Sequence, residues 1–200
     1  INWPQLMSFK NDYVEPIPDE IENVFLERGI DVFEGKARFA GKTTVEVGDQ
    51  VLVGEKIVVA VGAEPQKLDI PGAGNLLLSD QFFELEELPE SVVFIGGGYI
   101  SFEFAHIVVR AGARATIIEA LDQVLSGFDQ DIVSHLIEAS RDLGIEIHTR
   151  MPVKSISRGG DGVVVRAGEK GEQEFRAKIV VHGAGRVPAI GDLRLDRADV

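Results

Sequence analysis

The spacing of hydrophobic residues changes along the chain and predicts helices first and strands afterwards. In residues 1–30, Pro16 and Pro18 suit the start of a helix better than its interior. Apolar side chains then recur at helical spacing from Ile21 to Phe25, and Gly29 indicates the end of the helix. Residues 1–30 are therefore predicted to form an interrupted helical segment.

The pattern becomes strand-like in residues 31–62, where β-branched residues and short alternating runs dominate. Gly48 and Asp49 lie between two such runs and predict a hairpin. Residues 62–74, GAEPQKLDIPGAG, are rich in glycine and proline, which is typical of a connection. We interpret this connection as a domain boundary.

From residue 91 onward, short apolar strands alternate with helical segments. The predicted strands are SVVFIG, ARATIIE and IEIHT, and a helix is predicted between Asp129 as its cap and Gly144 as its end. Strands that alternate with helices form parallel βαβ units, so the sequence predicts an α/β fold with helices on both faces of a parallel sheet. An antiparallel meander should follow, with turns at residues 158–162 and 168–172, and then a last strand in AKIVVHGAG.

Composition narrows the classes of function. The 200 residues carry a formal net charge of −13, which repels phosphate backbones and anionic lipids, so neither nucleic acid nor a membrane is an expected partner. No apolar run has the length of a membrane span, and residues 1–20 lack the features of a signal peptide, so a cytoplasmic location is expected. The sequence has no cysteine and its four histidines lie far apart, so no metal site is predicted.

A glycine-rich turn follows the strand SVVFI directly and precedes a helix. In dinucleotide-binding motifs the first glycine permits a tight turn, the second lets the backbone approach a pyrophosphate, and a small third residue lets helix and strand pack closely. Gly96, Gly98 and Ser101 occupy these positions. Free N–H groups at the helix start would bind the phosphates, so the motif predicts a Rossmann-like dinucleotide-binding unit.

An acidic residue, Glu119, ends the next strand. Its carboxylate would accept hydrogen bonds from the adenosine ribose and would repel the 2′-phosphate of NADP. Residues 120–131 contain no Arg or Lys that could bind such a phosphate. The sequence therefore predicts that NAD(H) is preferred over NADP(H).

Several segments together resemble one family. GGGYISFEFA and AGARATIIEALDQVLSGFDQDI are similar to the nucleotide domain of pyridine nucleotide-disulfide oxidoreductases of the glutathione reductase/dihydrolipoamide dehydrogenase type. IVVAVGAEP is similar to the first link out of the FAD domain of that family, and VVHGAGRVP is similar to the link that leads back. The resemblance implies that hydride passes from NADH to FAD and then to a small disulfide substrate.

The resemblance also implies a domain organisation. Residues 1–73 would be the later part of an FAD-binding domain, with a β-hairpin and a helix, residues 74–185 the NAD(H)-binding domain, and residues 186–200 the start of the return into the FAD-binding domain. The first FAD-binding βαβ unit of the family, its redox-active cysteine pair and its dimerisation domain have no counterpart in the sequence. We therefore expect an internal fragment that binds cofactor but is inactive alone, and a complete protein that is a homodimer.

Individual site residues follow from the same resemblance. Tyr99 matches the tyrosine that covers the nicotinamide pocket, and Glu103 matches the glutamate that pairs with a lysine beside the flavin. These two residues are the predicted catalytic positions. The predicted cofactor-binding positions are Gly62, Gly96, Gly97, Gly98, Tyr99, Ile100, Ser101, Glu103, Glu119, Ala120, Gly185 and Arg186.

Two other interpretations stay open at this point. The complete protein could be a flavoprotein of the same superfamily that resembles NADH oxidases or peroxidases. Those proteins also have a tyrosine and a glutamate at the positions of Tyr99 and Glu103, so these residues do not distinguish the two cases. The chain could also be an NAD-binding module without catalysis of its own. The number of cysteines upstream of Ile1 would decide the first case, and bound FAD would decide the second.

Overall fold

A computed structural model of the protein describes residues 1–170 and 173–200. The described chain divides into two compact units. The first comprises Ile1–Phe9 and Pro65–Gly185, and the second comprises Lys10–Glu64 and Arg186–Val200. The turn predicted at residues 168–172 lies partly outside the described residues.

Helices and strands alternate along most of the described chain. The helices are α1 (Trp3–Val14), α2 (Ile17–Glu27), α3 (Ser79–Phe83), α4 (Tyr99–Arg110) and α5 (Gln130–Asp142). The strands are β1 (Ala37–Gly41), β2 (Thr44–Val47), β3 (Gln50–Val53), β4 (Ala63–Pro65), β5 (Leu76–Leu77), β6 (Ser91–Ile95), β7 (Arg114–Ile118), β8 (Glu146–His148), β9 (Val153–Gly159), β10 (Gly162–Ala167), β11 (Gln173–Ala177), β12 (Ile179–His182) and β13 (Arg186–Pro188). Within the described residues, no helix combines the length and the apolar character needed to cross a membrane.

Five parallel strands of the first unit form one sheet in the order β5-β12-β6-β7-β8. In the middle strand, Val93 is paired with Val180 of β12 on one side and with Thr116 of β7 on the other. Every residue of β6 is buried, because both faces of the sheet are covered. The carboxyl ends of β12, β6 and β7 lie side by side at one edge, which is where open α/β sheets bind ligands.

Helices cover one face of this sheet. Val92 and Phe94 of β6 belong to a buried cluster that also contains residues of α3, α4 and α5. Within this cluster, Phe82 of α3 stacks on Phe104 of α4 with ring centroids 4.5 Å apart. Trp3 of α1 meets the Phe82 ring edge-on at 5.7 Å. The first turns of α1 are thereby fixed to the first unit.

The antiparallel sheet β11-β10-β9 covers the other face. Val93 and Ile95 of β6 pack there against Val163 and Val165 of β10 and Phe175 of β11. The predicted α/β fold with a parallel sheet and an antiparallel meander is confirmed. The prediction of helices on both faces is wrong, because β6, β7 and β8 follow one another in a single direction across the sheet. Right-handed crossovers then place α4 and α5 on the same face.

The predicted ends of α5 are confirmed. A side-chain oxygen of Asp129 accepts hydrogen bonds from the backbone N–H groups of Asp131 at 3.0 Å and Ile132 at 3.3 Å. Gly144 has φ +87°, a left-handed conformation that ends helices at little cost in glycine. Asp129 therefore satisfies orphan donors of the first turn, and Gly144 stops the helix before β8.

A chain of polar contacts joins α4 to α5. The Arg110 guanidinium donates to Nδ1 of His106 at 2.7 Å, so Nε2 carries the proton of the neutral ring. Nε2 lies 2.9 Å from the Ser140 hydroxyl, which itself donates to the Leu136 carbonyl at 2.6 Å. Burial, and secondly the charge of Arg110, lower the pKa of His106. The hydrogen bond from Arg110 to His106 within α4 therefore requires the neutral imidazole, whose Nε2 proton is donated to Ser140 of α5.

The second unit contains α2 and the three-stranded sheet β1-β2-β3. The predicted hairpin is confirmed, since Val47 of β2 pairs with Gln50 of β3 across Gly48 and Asp49. Residues 31–36 and 57–62, which the sequence predicts as strands, lie outside the strands of the structure. A strand needs a ladder partner, and no described strand pairs with residues 57–62, so Val58 remains 87% exposed.

Candidate functional site

A cleft of about 680 Å³ opens in the first unit at the carboxyl ends of β12, β6 and β7. It is lined by the glycine turn 96–98, by much of the segment 118–128 that ends β7 and follows it, and by residues 183–185 after β12. Its volume falls within the range of small-molecule and cofactor sites. The cleft therefore lies at the edge of the sheet where the sequence motif predicts a ligand.

The glycine turn is tightly enclosed on two sides. Gly96 has φ +101°, and a Cβ built on it would overlap with the carbonyl oxygen of Gly183. A Cβ built on Gly97 would lie 2.6 Å from Cγ1 of Val124 and 3.0 Å from a carboxylate oxygen of Glu119. Any larger residue would push the turn away from β12 or from the segment after β7. Glycine is therefore required at both positions.

The start of α4 faces the cleft. Gly98 precedes the helix with extended backbone, at φ −84° and ψ 176°, and no side chain caps the first turn. The first N–H groups of a helix have no carbonyl partner within the helix, and its dipole places partial positive charge there. Gly98 and Tyr99 both line the cleft. The cleft thus has an uncapped helix start, the usual arrangement for binding a phosphate.

Ser101 lies below this turn and is fully buried. Its hydroxyl has no hydrogen-bond partner among the described residues. The hydroxyl occupies the space beside Gly183, so that a Cβ built on Gly183 would overlap with it. Ser101 and Gly183 together determine how closely α4 approaches the end of β12.

Glu119 is held by two backbone donors. One carboxylate oxygen accepts from the N–H of Gly97 at 2.5 Å, and the other accepts from the N–H of Leu121 at 2.8 Å. Each carboxylate oxygen keeps further acceptor capacity. The side chain is therefore fixed at the side of the cleft next to β7 and can still accept a hydrogen bond from a ligand.

The segment after β7 is tied to the glycine turn at a second point. The N–H of Leu125 donates to the carbonyl of Gly97 at 2.8 Å, and the carbonyl of Leu125 accepts from the N–H of Phe128 at 2.9 Å. Leu125 has φ 50°, which costs a non-glycine residue about 1–2 kcal/mol. The hydrogen bonds on both sides of Leu125 hold this conformation in place.

The opposite side of the cleft is built from the two ends of the Pro65–Gly185 segment. The N–H of Gln66 donates to the carbonyl of Gly185 at 3.0 Å. The carbonyl of Gln66 lies 2.7 Å from Nε2 of His182, which is buried. These contacts fix the main chain of Gln66 alongside the end of β12.

Comparison with known proteins identifies the family to which the chain belongs. A family model described as pyridine nucleotide-disulphide oxidoreductase matches residues 4–200. The chain belongs to this family. Members are flavin-dependent oxidoreductases that bind FAD and a pyridine nucleotide. The resemblance found in the sequence is therefore confirmed.

Individual relatives agree with this assignment. The chain is 31% identical over 201 residues to the glutathione reductase of Nostoc sp., and this match covers 100% of the chain and 44% of the relative. It is 30% identical over 209 residues to the dihydrolipoyl dehydrogenase of Halobacterium salinarum, covering 98% of the chain and 44% of the relative. The chain thus spans less than half the length of the curated relatives it matches.

A solved structure of the family is closely similar. It is the HOCl-induced flavoprotein disulfide reductase RclA from Escherichia coli, with a TM-score of 0.92 and 28% identity. The similarity covers 100% of this chain and 46% of that chain. The fold accordingly corresponds to somewhat less than half of that flavoprotein disulfide reductase.

The structure brings most of the sequence-predicted positions of the first unit to the cleft. Those that line it are Gly96, Gly97, Gly98, Tyr99, Glu119, Ala120 and Gly185. Tyr99 is 54% exposed, so its ring is not locked in the core. The side chain of Ile100 packs against the buried cluster on the helix side, which leaves its backbone N–H as its possible contact with a ligand. Glu103 is exposed on α4 and does not line the cleft.

Two predicted positions belong to the second unit instead. The N–H of Ala189 donates to the carbonyl of Gly62 at 3.1 Å, and the Arg186 guanidinium donates to the carbonyl of Ala63. These contacts, together with the pairing of β13 with β4, join the two links of the family to each other. Gly62 and Arg186 do not line the cleft.

Sequence reasoning misses the apolar lining of the cleft. Leu68, Ile70, Met151 and Val153 all line it. The N–H of Met151 donates to the carbonyl of Glu119 at 2.8 Å, which brings the segment after β8 beside the end of β7. The general rule that parallel strands bind ligands at their carboxyl ends could have identified this segment. No local motif marks it.

Among the described residues that line the cleft, Glu119 is the only one with a charged side chain. A search limited to residues 120–131 misses one cationic residue that contacts the segment after β7 through its backbone. It is Arg150, whose backbone N–H donates to the carbonyl of Leu121 at 2.7 Å. The Arg150 side chain is exposed and does not line the cleft. The cleft is therefore acidic at the side next to β7.

Proposed function

We propose that the chain forms the NAD(H)-binding part of a flavin-dependent oxidoreductase that passes hydride from NADH to FAD and on to a small disulfide substrate. Within it, we assign the NAD(H)-binding domain to residues 74–185 as the sequence predicts, extended by residues 65–73 and Ile1–Phe9, which belong to the same unit, and the FAD-binding domain to Lys10–Glu64 and Arg186–Val200. The observation that carries the proposal is the Glu119 carboxylate, held by Gly97 and Leu121 beside an uncapped helix start. This arrangement suits a molecule with a pyrophosphate and a neighbouring ribose diol.

The preference for NAD(H) follows from charge. A ribose with free 2′- and 3′-hydroxyls can donate to the Glu119 carboxylate, whereas a 2′-phosphate would bring two like charges together. No Arg, Lys or His of the described residues lines the cleft to compensate that repulsion. NADH is therefore the proposed ligand, and NADPH the disfavoured one.

The residues of the chain would bind, orient and shield the dinucleotide. The N–H groups at the start of α4 would hold the pyrophosphate, and the Met151 and Val153 side would offer apolar surface to the adenine. The nicotinamide ring of bound NADH supplies the hydride. Tyr99, exposed at the start of α4, would cover the nicotinamide ring and exclude water until the hydride is transferred to the flavin.

The flavin belongs to the complete protein in this proposal. The described residues contain one glycine-rich turn between a parallel strand and a helix, and they offer no second turn of this kind to the FAD pyrophosphate. Glu103 would pair with a lysine beside the flavin, in keeping with its exposed position on α4. The description of the E. coli neighbour as a flavoprotein disulfide reductase supports disulfide reduction by the complete protein, which we propose to be a homodimer.

Calorimetric titration of the 200-residue chain with NADH and with NADPH tests the proposal. NADH should bind more tightly than NADPH. Replacing Glu119 by Ala removes a charge-assisted hydrogen bond to the ribose and should weaken NADH binding by about 10- to 100-fold. Asp122→Ala is the matched control, because it removes one negative charge from the same segment at an exposed position that does not line the cleft.

Three outcomes would contradict the proposal. Tighter binding of NADPH than of NADH would overturn the preference. An equal loss in Glu119→Ala and Asp122→Ala would reduce the effect to general electrostatics. Binding of neither nucleotide to a folded wild-type chain would overturn the assignment of the cleft.

A further inference from the structure

Gln66 occupies a position in the cleft that no sequence motif assigns. Its main chain is fixed on both sides. The backbone N–H of Gln66 donates a hydrogen bond to the Gly185 carbonyl at 3.0 Å, and the Gln66 carbonyl oxygen lies 2.7 Å from Nε2 of His182. Its side chain is exposed and lines the cleft. A fixed backbone that carries a free carboxamide at a cleft wall is suited to ligand binding.

The position of the carboxamide is defined by Gly185. A Cβ built on Gly185 would lie 3.3 Å from Oε1 of Gln66, so the amide group runs alongside that residue. The other amide in the lining, that of Gln123, belongs to the segment after β7, as does the hydroxyl of Ser126. Gln66 is therefore the amide on the β12 side of the cleft.

The order of the strands indicates which half of a dinucleotide would reach Gln66. β6 lies between β7 and β12, and the glycine turn follows β6. A dinucleotide with its pyrophosphate at this turn and its adenosine ribose at Glu119 extends across β6 toward β12. Its second ribose then passes the residues that follow β12, where Gln66 lies.

The chemistry at this point is complementary. A ribose diol has hydroxyl donors and acceptors, and a glutamine carboxamide has two N–H donors and one carbonyl acceptor. Most of the other residues on this wall are apolar or glycine, namely Leu68, Ile70, Gly183, Ala184 and Gly185. We propose that the Gln66 carboxamide binds the hydroxyls of the nicotinamide ribose and thereby positions the ring. This inference rests on the proposed function and adds a specificity residue to it.

A series of ligands of increasing length tests the inference. Wild type and Gln66→Leu are titrated calorimetrically with AMP, ADP, ADP-ribose and NADH. AMP and ADP lack the second ribose, so their affinities should be the same for both proteins. ADP-ribose and NADH contain it and should bind Gln66→Leu about fivefold more weakly, as expected for one or two neutral hydrogen bonds.

Gln123→Leu is the matched control, because the same replacement is made on the opposite side of the cleft. It should produce no loss that is confined to ADP-ribose and NADH. Thermal unfolding of Gln66→Leu should match wild type, since the exposed side chain makes no contact that the backbone hydrogen bonds require.

Three other outcomes of the titrations would contradict the inference. Equal losses for AMP and ADP-ribose in Gln66→Leu would place the residue outside the second-ribose site. Unchanged ADP-ribose and NADH affinities, with normal wild-type binding, would overturn the inference alone. A folded wild-type chain that binds none of the four ligands would overturn the proposed function and this inference together.

Discussion

The carboxylate of Glu119 accepts a hydrogen bond of 2.5 Å from the backbone N–H of Gly97. The end of β7 and the turn after β6 are therefore locked together within the protein itself. A ligand that binds there meets a site whose geometry is already set, so that less of its binding energy is spent on ordering the protein.

Gly97→Ala should weaken NADH binding more than tenfold. The new methyl group would lie 2.6 Å from Val124 and 3.0 Å from the Glu119 carboxylate, so either the segment after β7 or the turn must move. Stability should fall by about 1–3 kcal/mol, as for other overpacked sites. Calorimetry and thermal unfolding measure the two effects.

Gly74→Ala is the control for Gly97→Ala, since a Cβ at Gly74 would have nothing within 4 Å and the residue does not line the cleft. It should leave NADH binding unchanged. Normal NADH affinity in Gly97→Ala would contradict the role of the turn.

Ala120→Arg should raise the affinity for NADPH relative to NADH by roughly five- to tenfold. Ala120 lines the cleft next to Glu119, so a guanidinium there can pair with a 2′-phosphate. Arg150→Ala should leave the ratio unchanged, because Arg150 contacts the segment after β7 through its backbone and does not line the cleft. A fall in NADPH affinity in Arg150→Ala would instead make Arg150 the phosphate-binding cation.

Ser101 and Gly183 should be strongly coupled in stability. Gly183→Ala alone places a methyl group onto the Ser101 hydroxyl and should cost about 1–3 kcal/mol. Ser101→Ala alone should be neutral or slightly stabilising, since the hydroxyl is buried without a partner. The double variant should recover much of the loss, because the overlapping oxygen is gone. Additive changes in the free energy of unfolding would contradict this coupling.

The stability of the first unit should depend on pH through His106. The pKa of His106 in the folded protein lies below its ordinary value of 6.5, so the unfolded state binds the proton first. The contribution of His106 is therefore complete above pH 6.5 and declines as the pH falls from there through the folded pKa. Thermal unfolding between pH 7 and pH 5 should show a smaller decline in His106→Gln than in wild type. Parallel curves for the two proteins would contradict a partly buried, neutral His106 imidazole beside Arg110.

Local patterns account for what the sequence predicts well. The hairpin at Gly48 and Asp49 and the Asp129 cap each depend on a few neighbouring residues, and both are confirmed. The glycine turn and Glu119 are similarly local, since each marks the end of an apolar strand. The structure places both at one cleft.

Non-local pairing accounts for what the sequence does not predict. Residues 57–62 have the composition of a strand, but a strand exists only with a ladder partner. Met151 reaches the cleft because β8 pairs with β7 and its own N–H bonds to Glu119. The face of the sheet covered by the meander depends on strand order, which no single segment encodes.

The hydrogen bond between Gln66 and Gly185 has a consequence for how such proteins are assembled. The Pro65–Gly185 segment enters and leaves its unit at neighbouring points, as an inserted domain does. Such a segment can be moved between hosts, or its ends rejoined in a different order, without breaking its sheet. The Pro65–Gly185 segment is therefore suited to recombination between hosts that also supply a helix to pack on Phe82 as Trp3 does, and its fixed ends carry Gln66 and Gly185 to the same wall of the cleft each time.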